Sequence, residues 1–208
     1  MPNNDLSAAI ERASKIKLMI FDVDGVLTDG GLRYGAEGEL IKTFNVLDGH
    51  GIKLLQEYGV QVGIISARNS AIVARRAADL GIQHLKQGVH DKRLAFEQVI
   101  QAVHLTPEEC GFMGDDVIDL PVMTRVGFAA SVPNGHPEVQ TRAHYVAQVR
   151  GGHGAVREVC DFILRAQNKY EAALAPYIKS VSVDVVILLY YFWLRLLLLQ
   201  QSVFGHLR

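Results

Sequence analysis

The sequence predicts a single α/β domain built on a doubly wound, mostly parallel β-sheet. A chain of 208 residues is long enough for one domain with its own hydrophobic core. Short apolar segments alternate with segments of helical periodicity, which is typical of doubly wound sheets. Several of the apolar segments end in polar or acidic residues, at the edge where such sheets bind ligands.

The predicted elements follow one another in a regular order. Parallel strands are expected at residues 18–21, 60–65, 82–85, 110–113, 126–130 and 144–146. A glycine-rich β-hairpin is expected between residues 31 and 44. Helices are expected from Asp48, over residues 69–79, from the capping residue Asp91 and from Gly154, and the helix from Asp91 should bury Leu94.

The chain is organised around the motif DVDGVLTDG at residues 22–30. It places Asp22 and Asp24 directly after the first apolar strand. Burying unpaired carboxylates is costly, and a cation would offset that cost. Oxygen ligands of this kind suit Mg²⁺. The alternative is an acidic loop in which Asp29 and Gly30 form a turn.

Further polar residues follow the other predicted strands, namely Ser66, Lys92, Asp115, Asp116 and Asp119. Each has a structural explanation: Ser66 as a cap or turn residue, Lys92 as a solvated charge, and Asp116 as a turn or first-turn residue. If the strands are parallel neighbours, these groups and the two acids of the first strand converge on one crevice. Carboxylates, a hydroxyl and an ammonium group together indicate metal-assisted phosphoryl transfer through an acyl phosphate.

Composition excludes other classes. The formal net charge is −1 and there is no basic stripe, so a nucleic-acid partner is not expected. Cys110 and Cys160 indicate a reducing compartment and buried thiols rather than a disulfide. Residues 1–15 lack an apolar signal-peptide core, so we expect a cytoplasmic location.

Four of these features resemble the motifs of the haloacid dehalogenase (HAD) phosphatases: DVDGVLTD at 22–29, Ser66, Lys92 and GDDVID at 114–119. FNVLDGHGI at 44–52 and GGHGAVREVCD at 151–161 resemble the capless subfamily that hydrolyses 3-deoxy-D-manno-octulosonate (KDO) 8-phosphate in lipopolysaccharide biosynthesis. The resemblance covers roughly residues 15–170.

The resemblance implies a role for each residue. Asp22 would be the phosphorylated nucleophile, and Asp24 would serve first as general acid and then as general base. Mg²⁺ would be held by the Asp22 side chain, the Asp24 backbone carbonyl and Asp115. Ser66 and the catalytic residue Lys92 would bind the phosphoryl group. Arg68 and Arg76 would bind the substrate anion. Asp116 and Asp119 would support the lysine and the metal-bound waters.

The resemblance also implies a HAD (Rossmann-like) fold with no cap domain, assembled as a homotetramer. The hairpin would pack subunits together. Residues 151–154 would help to cover the site, or would simply form a flexible start to the last helix. Leu47 and His153 stand where the subfamily usually has arginine, so a related substrate such as an acylneuraminate 9-phosphate stays open.

The predicted division of the chain is an N-terminal extension at 1–15, a phosphatase domain at 16–175 and a hydrophobic tail at 176–208. The tail is short for a membrane span unless Arg195 lies within it. It would be a membrane anchor, an added helix, or out-of-frame residues. We favour the last because the tail's composition differs sharply from the rest of the chain.

Two other functions share some of these features. A receiver-type signalling domain also uses clustered Asp, Ser or Thr, and Lys, but its acceptor Asp does not share a strand with the acidic pair. A membrane-tethered interaction module would depend on the tail alone.

Overall fold

The structure, a computed structural model, describes residues 6–178. Its main sheet has six parallel strands in the order β5-β4-β1-β6-β7-β8. These strands are β1 (Leu18–Phe21), β4 (Gln61–Ile65), β5 (His84–Lys86), β6 (Cys110–Met113), β7 (Phe128–Ser131) and β8 (Tyr145–Val146). The antiparallel hairpin is formed by β2 (Arg33–Gly35) and β3 (Gly38–Ile41).

Helices lie before, between and after the strands in the described part of the chain. They are α1 (Leu6–Ser14), α2 (Val46–Glu57), α3 (Ala71–Asp79), α4 (Lys92–Val103), α5 (Leu120–Met123), α6 (Pro137–Arg142), α7 (Ala155–Ala166) and α8 (Tyr170–Ile178). Single 3₁₀ turns lie at Pro107–Glu109 and Val117–Asp119. Between the first and last acidic motifs, the described residues contain the hairpin and sheet connections but no cap domain, so the predicted capless doubly wound sheet is confirmed.

The sheet is covered on both faces, as its sequence pattern requires. Leu18 and Ile20 of β1 belong to one buried cluster with Phe96 of α4 and Val122 of α5. Helix α7 packs against α1 and α2. Since apolar side chains fill both faces, the strand ends are the places where polar side chains reach solvent.

The register of the central strands brings the motif residues to one level. Phe21, the last residue of β1, pairs with Ile64 of β4 on one side and with Met113 of β6 on the other. The acidic residues after β1 and after β6 therefore emerge next to each other. The loop after β4 emerges on the other side of β1, because β4 and β6 flank that strand.

Some element boundaries differ from the prediction. Helix α2 begins at Val46 rather than Asp48, because the Asn45 side chain accepts a hydrogen bond from the Leu47 N–H (2.8 Å) and caps the helix earlier. Strands β5 and β7 each begin two residues later than expected. Leu94 is 51% exposed rather than part of the buried face of α4.

The described residues fall into two compact units. The first extends to Tyr170 and includes α1, whose Ala9 and Ala13 are buried. In the second unit, residues 171–178 continue α8. The proposed boundaries near residues 15 and 175 stay predictions.

The predictions about the tail fall mostly on residues 179–208, which lie outside the described part of the chain. Within residues 6–178, none of the helices combines the length and the apolar character that crossing a membrane requires. Cys110 and Cys160 are both buried free thiols, as predicted.

Candidate active site

A cavity of about 150 Å³ opens at the carboxyl edge of the central strands. Its polar lining consists of side chains that the sequence singled out: Asp22, Asp24, Ser66, Arg68, Lys92, Asp115 and Asp116. The structure thus brings together residues that are almost a hundred positions apart. They meet because β1 lies between β4 and β6 in the sheet.

The loop after β1 is held tightly in place. The Asp22 N–H donates to the Met113 carbonyl (3.0 Å), and the Thr28 N–H closes the turn Val23–Leu27 on the Val23 carbonyl (3.0 Å). Gly25 has a φ of +89°, and a Cβ there would lie 2.0 Å from Asp115 Oδ2. Glycine is required at this position by both backbone conformation and space.

Lys92 joins two of the acids. Its Nζ lies 2.9 Å from Asp22 Oδ1 and 2.6 Å from Asp119 Oδ1, and its side chain is 2% exposed. Lys92 is the first residue of α4, and Asp91 caps that helix by accepting from the Leu94 N–H (3.1 Å). The helix cap therefore positions the lysine at the floor of the cavity.

Asp119 is fully buried and both of its oxygens are engaged. Oδ1 accepts from Lys92, and Oδ2 accepts from the N–H groups of Asp115 (3.0 Å) and Asp116 (3.1 Å). Asp116 is exposed and its side chain accepts from the Val117 N–H (2.7 Å). Asp119 therefore orients the loop after β6 and the lysine, while Asp116 caps the turn at the cavity rim.

The acidic residues fit a hard cation. One carboxylate oxygen from each of Asp22, Asp115 and Asp119 lies within 4.8 Å of the others. Asp115 Oδ1 is buried without a hydrogen-bond partner among the described residues. Since Asp119 is already engaged, Asp22 and Asp115 are the side chains with capacity for Mg²⁺.

Electrostatics support the same conclusion. Burial, together with the negative charge of Asp119, raises the pKa of Asp22 to about 7 against the opposing effect of Lys92. Burial and the neighbouring carboxylates of Asp22 and Asp119 raise the pKa of Asp115 to about 7. A divalent cation next to both groups would favour their ionised forms.

Ser66 and Arg68 occupy the other side of the cavity. The Ser66 hydroxyl oxygen accepts from the Arg68 N–H (3.3 Å), which leaves its own proton available to a ligand. The Arg68 guanidinium donates to the Tyr34 hydroxyl (2.6 Å) and lies 3.5 Å from Asp24 Oδ2. The hairpin residue Tyr34 therefore holds Arg68 at the edge of the site.

Sequence reasoning missed two charged residues, Lys42 and Glu39. Lys42 forms an ion pair with Asp24 Oδ1 and lies 2.9 Å from Glu39 Oε1. Burial alone would lower the pKa of Lys42, but its hydrogen bonds to these two carboxylates raise it above the ordinary value. The sequence signal for this pair was an acidic and a basic residue three positions apart at the end of a hairpin. Such pairs are common on exposed strands, so the signal did not indicate a buried role.

Arg76 is not among the residues that line this cavity in the described chain. Its Nη2 lies 3.4 Å from the Asn45 carbonyl, and its guanidinium lies over the Phe44 ring at 5.7 Å. Arg76 therefore does not reach the cavity of its own chain, because α3 directs this side chain toward the start of α2, and its contact with substrate stays a prediction.

The glycine-rich segment after β8 packs on the loop that follows β1. The Gly151 N–H donates to Asn134 Oδ1 (2.9 Å), and the Gly152 N–H donates to the Val26 carbonyl (2.9 Å). A Cβ on Gly151 would lie 1.7 Å from the Gly25 carbonyl oxygen. The segment therefore supports, from behind, the loop after β1, which we call the catalytic loop, and it does not line the cavity of its own chain. A role in covering the site of a neighbouring subunit stays a prediction.

Leu47 and His153, the two positions that differ from the subfamily, are both exposed and do not line the cavity. Leu47 lies in the first turn of α2, and His153 lies in the glycine-rich segment.

Comparison with known proteins gives the same result as the geometry. A family model described as haloacid dehalogenase-like hydrolase matches residues 85–159. The 3-deoxy-D-manno-octulosonate 8-phosphate phosphatase of Yersinia pestis is 47% identical over 164 residues, which cover 79% of this chain and 88% of the relative. The enzyme of the same name from Escherichia coli K12 is 46% identical, over 79% of this chain and 87% of its own length.

A solved structure agrees with these relatives. The Moraxella catarrhalis 3-deoxy-D-manno-octulosonate 8-phosphate phosphatase, in complex with a magnesium ion, a phosphate ion and a KDO molecule, aligns with a TM-score of 0.80 at 40% identity. The alignment covers 84% of this chain and 99% of that one. On this similarity in sequence and fold, the chain belongs to the 3-deoxy-D-manno-octulosonate 8-phosphate phosphatase family of haloacid dehalogenase-like hydrolases.

Proposed function

We propose that this protein is a Mg²⁺-dependent phosphatase that hydrolyses KDO 8-phosphate to KDO and inorganic phosphate. One observation carries the chemistry: Asp22, Ser66, Lys92 and Asp115 line one cavity at the carboxyl edge of the sheet. The choice of substrate is supported by the names of its relatives and by the KDO and phosphate bound in the Moraxella enzyme.

In the first half-reaction, an Asp22 carboxylate oxygen forms a bond to phosphorus while the bond between phosphorus and the sugar oxygen breaks. The electron pair of the broken bond stays on the sugar oxygen, which takes a proton from the Asp24 carboxyl. Lys92, 2.9 Å from Asp22 Oδ1, holds the nucleophile in place and offsets negative charge on the phosphoryl group.

In the second half-reaction, a water molecule attacks phosphorus and the bond from phosphorus to Asp22 breaks. Asp24, now ionised, accepts the proton of that water, and phosphate leaves. Ser66 offers its hydroxyl proton to a phosphoryl oxygen, and Asp119 keeps Lys92 oriented through a 2.6 Å contact.

Mg²⁺ would be held by the Asp22 and Asp115 side chains and by the Asp24 backbone carbonyl. When bound, it supplies positive charge beside the phosphoryl oxygens. The unpartnered Asp115 Oδ1 supports this assignment. Arg68 at the cavity edge would contact the anionic part of the substrate, and Arg76 would do so only from a neighbouring subunit.

The test is phosphate release from KDO 8-phosphate with and without Mg²⁺, by the wild type and by Asp22→Asn. We expect Mg²⁺-dependent release that Asp22→Asn abolishes. Turnover by the variant at the wild-type rate would refute Asp22 as the nucleophile. Release from p-nitrophenyl phosphate but not from KDO 8-phosphate would keep the chemistry and reject the substrate.

A second substrate is worth testing because of Leu47 and His153. The subfamily that this sequence resembles usually has arginine at both positions, so this chain has two fewer cations to bind an anionic sugar. An acylneuraminate 9-phosphate is therefore the comparison substrate. A higher kcat/KM for this compound than for KDO 8-phosphate would make it the assigned substrate instead.

We also propose that the protein is a cytoplasmic homotetramer that serves lipopolysaccharide biosynthesis. Exposed apolar side chains on the hairpin and at the start of α2 support the assembly, namely Leu32, Tyr34, Leu40, Ile41, Val46 and Leu47. The free buried thiols of Cys110 and Cys160 support a reducing compartment.

A further inference from the structure

The hairpin carries a buried lysine that faces the site. The Lys42 side chain is 2% exposed, although it directly follows the two exposed residues that end β3. A buried ammonium group is costly unless it is paired and hydrogen-bonded. Lys42 meets that requirement through two carboxylates, Asp24 of the catalytic loop and Glu39 of the hairpin.

Glu39 fixes Lys42 to the rest of the domain. Its Oε2 accepts from the Ser70 hydroxyl (2.6 Å), and its Oε1 lies 2.9 Å from Lys42 Nζ and 3.4 Å from Arg68 Nη2. The Glu39 side chain is 12% exposed. Through Glu39, the lysine is therefore linked to Arg68 in the loop after β4 and to Ser70, which precedes α3.

The Asp24 carboxylate lies between two cations. Lys42 is paired with Oδ1, and Arg68 Nε lies 3.5 Å from Oδ2. The Asp24 side chain is 21% exposed and lines the cavity. Neither cation comes from the loop that carries Asp24, so the orientation of this carboxyl group depends on the hairpin and on the loop after β4.

We infer that Lys42 is a positioning residue for the acid–base carboxyl of Asp24, and that the hairpin takes part in catalysis by supplying it. This inference depends on the proposed phosphatase function. Lys42 transfers no proton itself. It holds Asp24 where the Asp24 proton passes to the leaving oxygen as the bond between that oxygen and phosphorus breaks.

The inference predicts a dependence on the leaving group. A basic leaving oxygen needs the proton of a correctly placed acid, whereas a weakly basic one leaves without it. Removing Lys42 should therefore reduce hydrolysis of phenyl phosphate far more than hydrolysis of p-nitrophenyl phosphate. Neither substrate carries the sugar carboxylate, so a role of Lys42 in sugar binding would not produce this difference.

The experiment measures kcat/KM for KDO 8-phosphate, phenyl phosphate and p-nitrophenyl phosphate at saturating Mg²⁺, for the wild type and Lys42→Met. This parameter covers only the steps up to departure of the leaving group. We expect a fall of about 100-fold for KDO 8-phosphate and phenyl phosphate, and less than about 5-fold for p-nitrophenyl phosphate. Equal losses on the phenyl and nitrophenyl esters, or no loss at all, would overturn the inference.

Matched variants separate this outcome from others. Lys53→Met, at an exposed lysine of α2, should change none of the three values. Asp24→Asn should show the same selective pattern as Lys42→Met, and more strongly. If the wild type hydrolyses none of the esters, or Asp22→Asn hydrolyses them normally, the proposed function fails rather than the inference.

Thermal melting will show whether Lys42→Met folds. Should it not fold, Glu39→Gln carries the test, because it keeps the lysine and removes one of its two carboxylate partners. We expect a smaller but equally selective loss on the phenyl ester. Lys42→Arg, which keeps the charge, should recover part of the activity, and a uniform loss in both variants would contradict a positioning role.

Discussion

At the scale of single residues, the site is defined by an excess of negative charge around one buried lysine. Asp22, Asp115 and Asp119 lie together, and among residues 6–178 Lys92 forms ion pairs with Asp22 and Asp119 but not with Asp115. Asp115 has no cationic partner of its own in the described chain, and its Oδ1 accepts no hydrogen bond. We therefore expect this carboxylate to bind the metal ion.

Replacing Asp115 should therefore raise the Mg²⁺ requirement. We expect Asp115→Asn to increase the Mg²⁺ concentration for half-maximal activity by at least about tenfold, because a charged ligand is lost. Activity measured across a Mg²⁺ titration tests this. Asp116→Asn is the matched control, since Asp116 is exposed and caps Val117, and its Mg²⁺ curve should overlay the wild type. Equal shifts in both variants would reject Asp115 as a specific ligand.

At the scale of elements, two segments far apart in sequence support the catalytic loop. Helix α7 begins after Gly154, which has no capping side chain. Asp48 of α2 supplies the cap instead, since its Oδ1 accepts from the Arg157 N–H (2.8 Å). Ahead of this cap, Gly151 lies against the Gly25 carbonyl, so the start of α7 and the loop after β1 are positioned together.

The buried cap should make stability depend on pH. Burial raises the pKa of Asp48 to about 6 from a model-peptide value of 3.8, although three backbone N–H groups oppose the shift. The folded state then binds a proton more tightly than the unfolded state, so the contribution of Asp48 is full below about pH 4 and is lost as the pH rises through 6.

Comparison of the wild type with Asp48→Asn isolates this effect. Between pH 4 and 7, the free energy of unfolding of the wild type should fall relative to that of the variant, by about 3 kcal/mol at most. Urea denaturation at several pH values measures it. Parallel curves for the two proteins would show that Asp48 titrates normally.

The contact between Gly151 and the catalytic loop gives a second prediction for this scale. In Gly151→Ala, the new Cβ must displace the Gly25 carbonyl, so we expect kcat to fall at least about tenfold. Gly59→Ala is the control: its φ is +87° with nothing within 4 Å of the new Cβ, so it should cost about 1 kcal/mol of stability and leave kcat unchanged. A normal kcat in Gly151→Ala would mean that the loop adjusts freely.

At the scale of the whole molecule, the hairpin has two faces with different properties. One presents Glu39 and Lys42 to the site, while Leu40 is 65% exposed and Ile41 is 50% exposed. Exposed apolar side chains close together are typical of protein interfaces. The same hairpin can therefore orient the acid–base carboxyl inside one chain and contact another chain outside it.

Charging the outer face should weaken assembly. If the protein is the proposed tetramer, we expect Leu40→Glu to shift it to smaller species in sedimentation velocity, because a buried unpaired carboxylate is costly at an interface. Leu94→Glu is the control, since Leu94 is 51% exposed on α4, away from the hairpin. Identical sedimentation of wild type and Leu40→Glu would place the interface elsewhere.

The sequence by itself determined the parallel sheet and most of the residues that line the site. Four site residues were predictable because each follows a short apolar strand or opens a capped helix, namely Asp22, Ser66, Lys92 and Asp115. Parallel strands end at the same edge, so local pattern was enough to predict that these groups meet.

Only the tertiary structure decided which distant groups pair. Lys42 lies on a hairpin with no local sign of burial, and Asp48 caps a helix that begins more than a hundred residues later. Arg76, which the resemblance offered as a substrate contact, turns toward Asn45 in the described chain. Periodicity predicts whether a residue lies on a buried face, but the partner of a buried charge depends on how separate elements pack, and no short stretch of sequence encodes that.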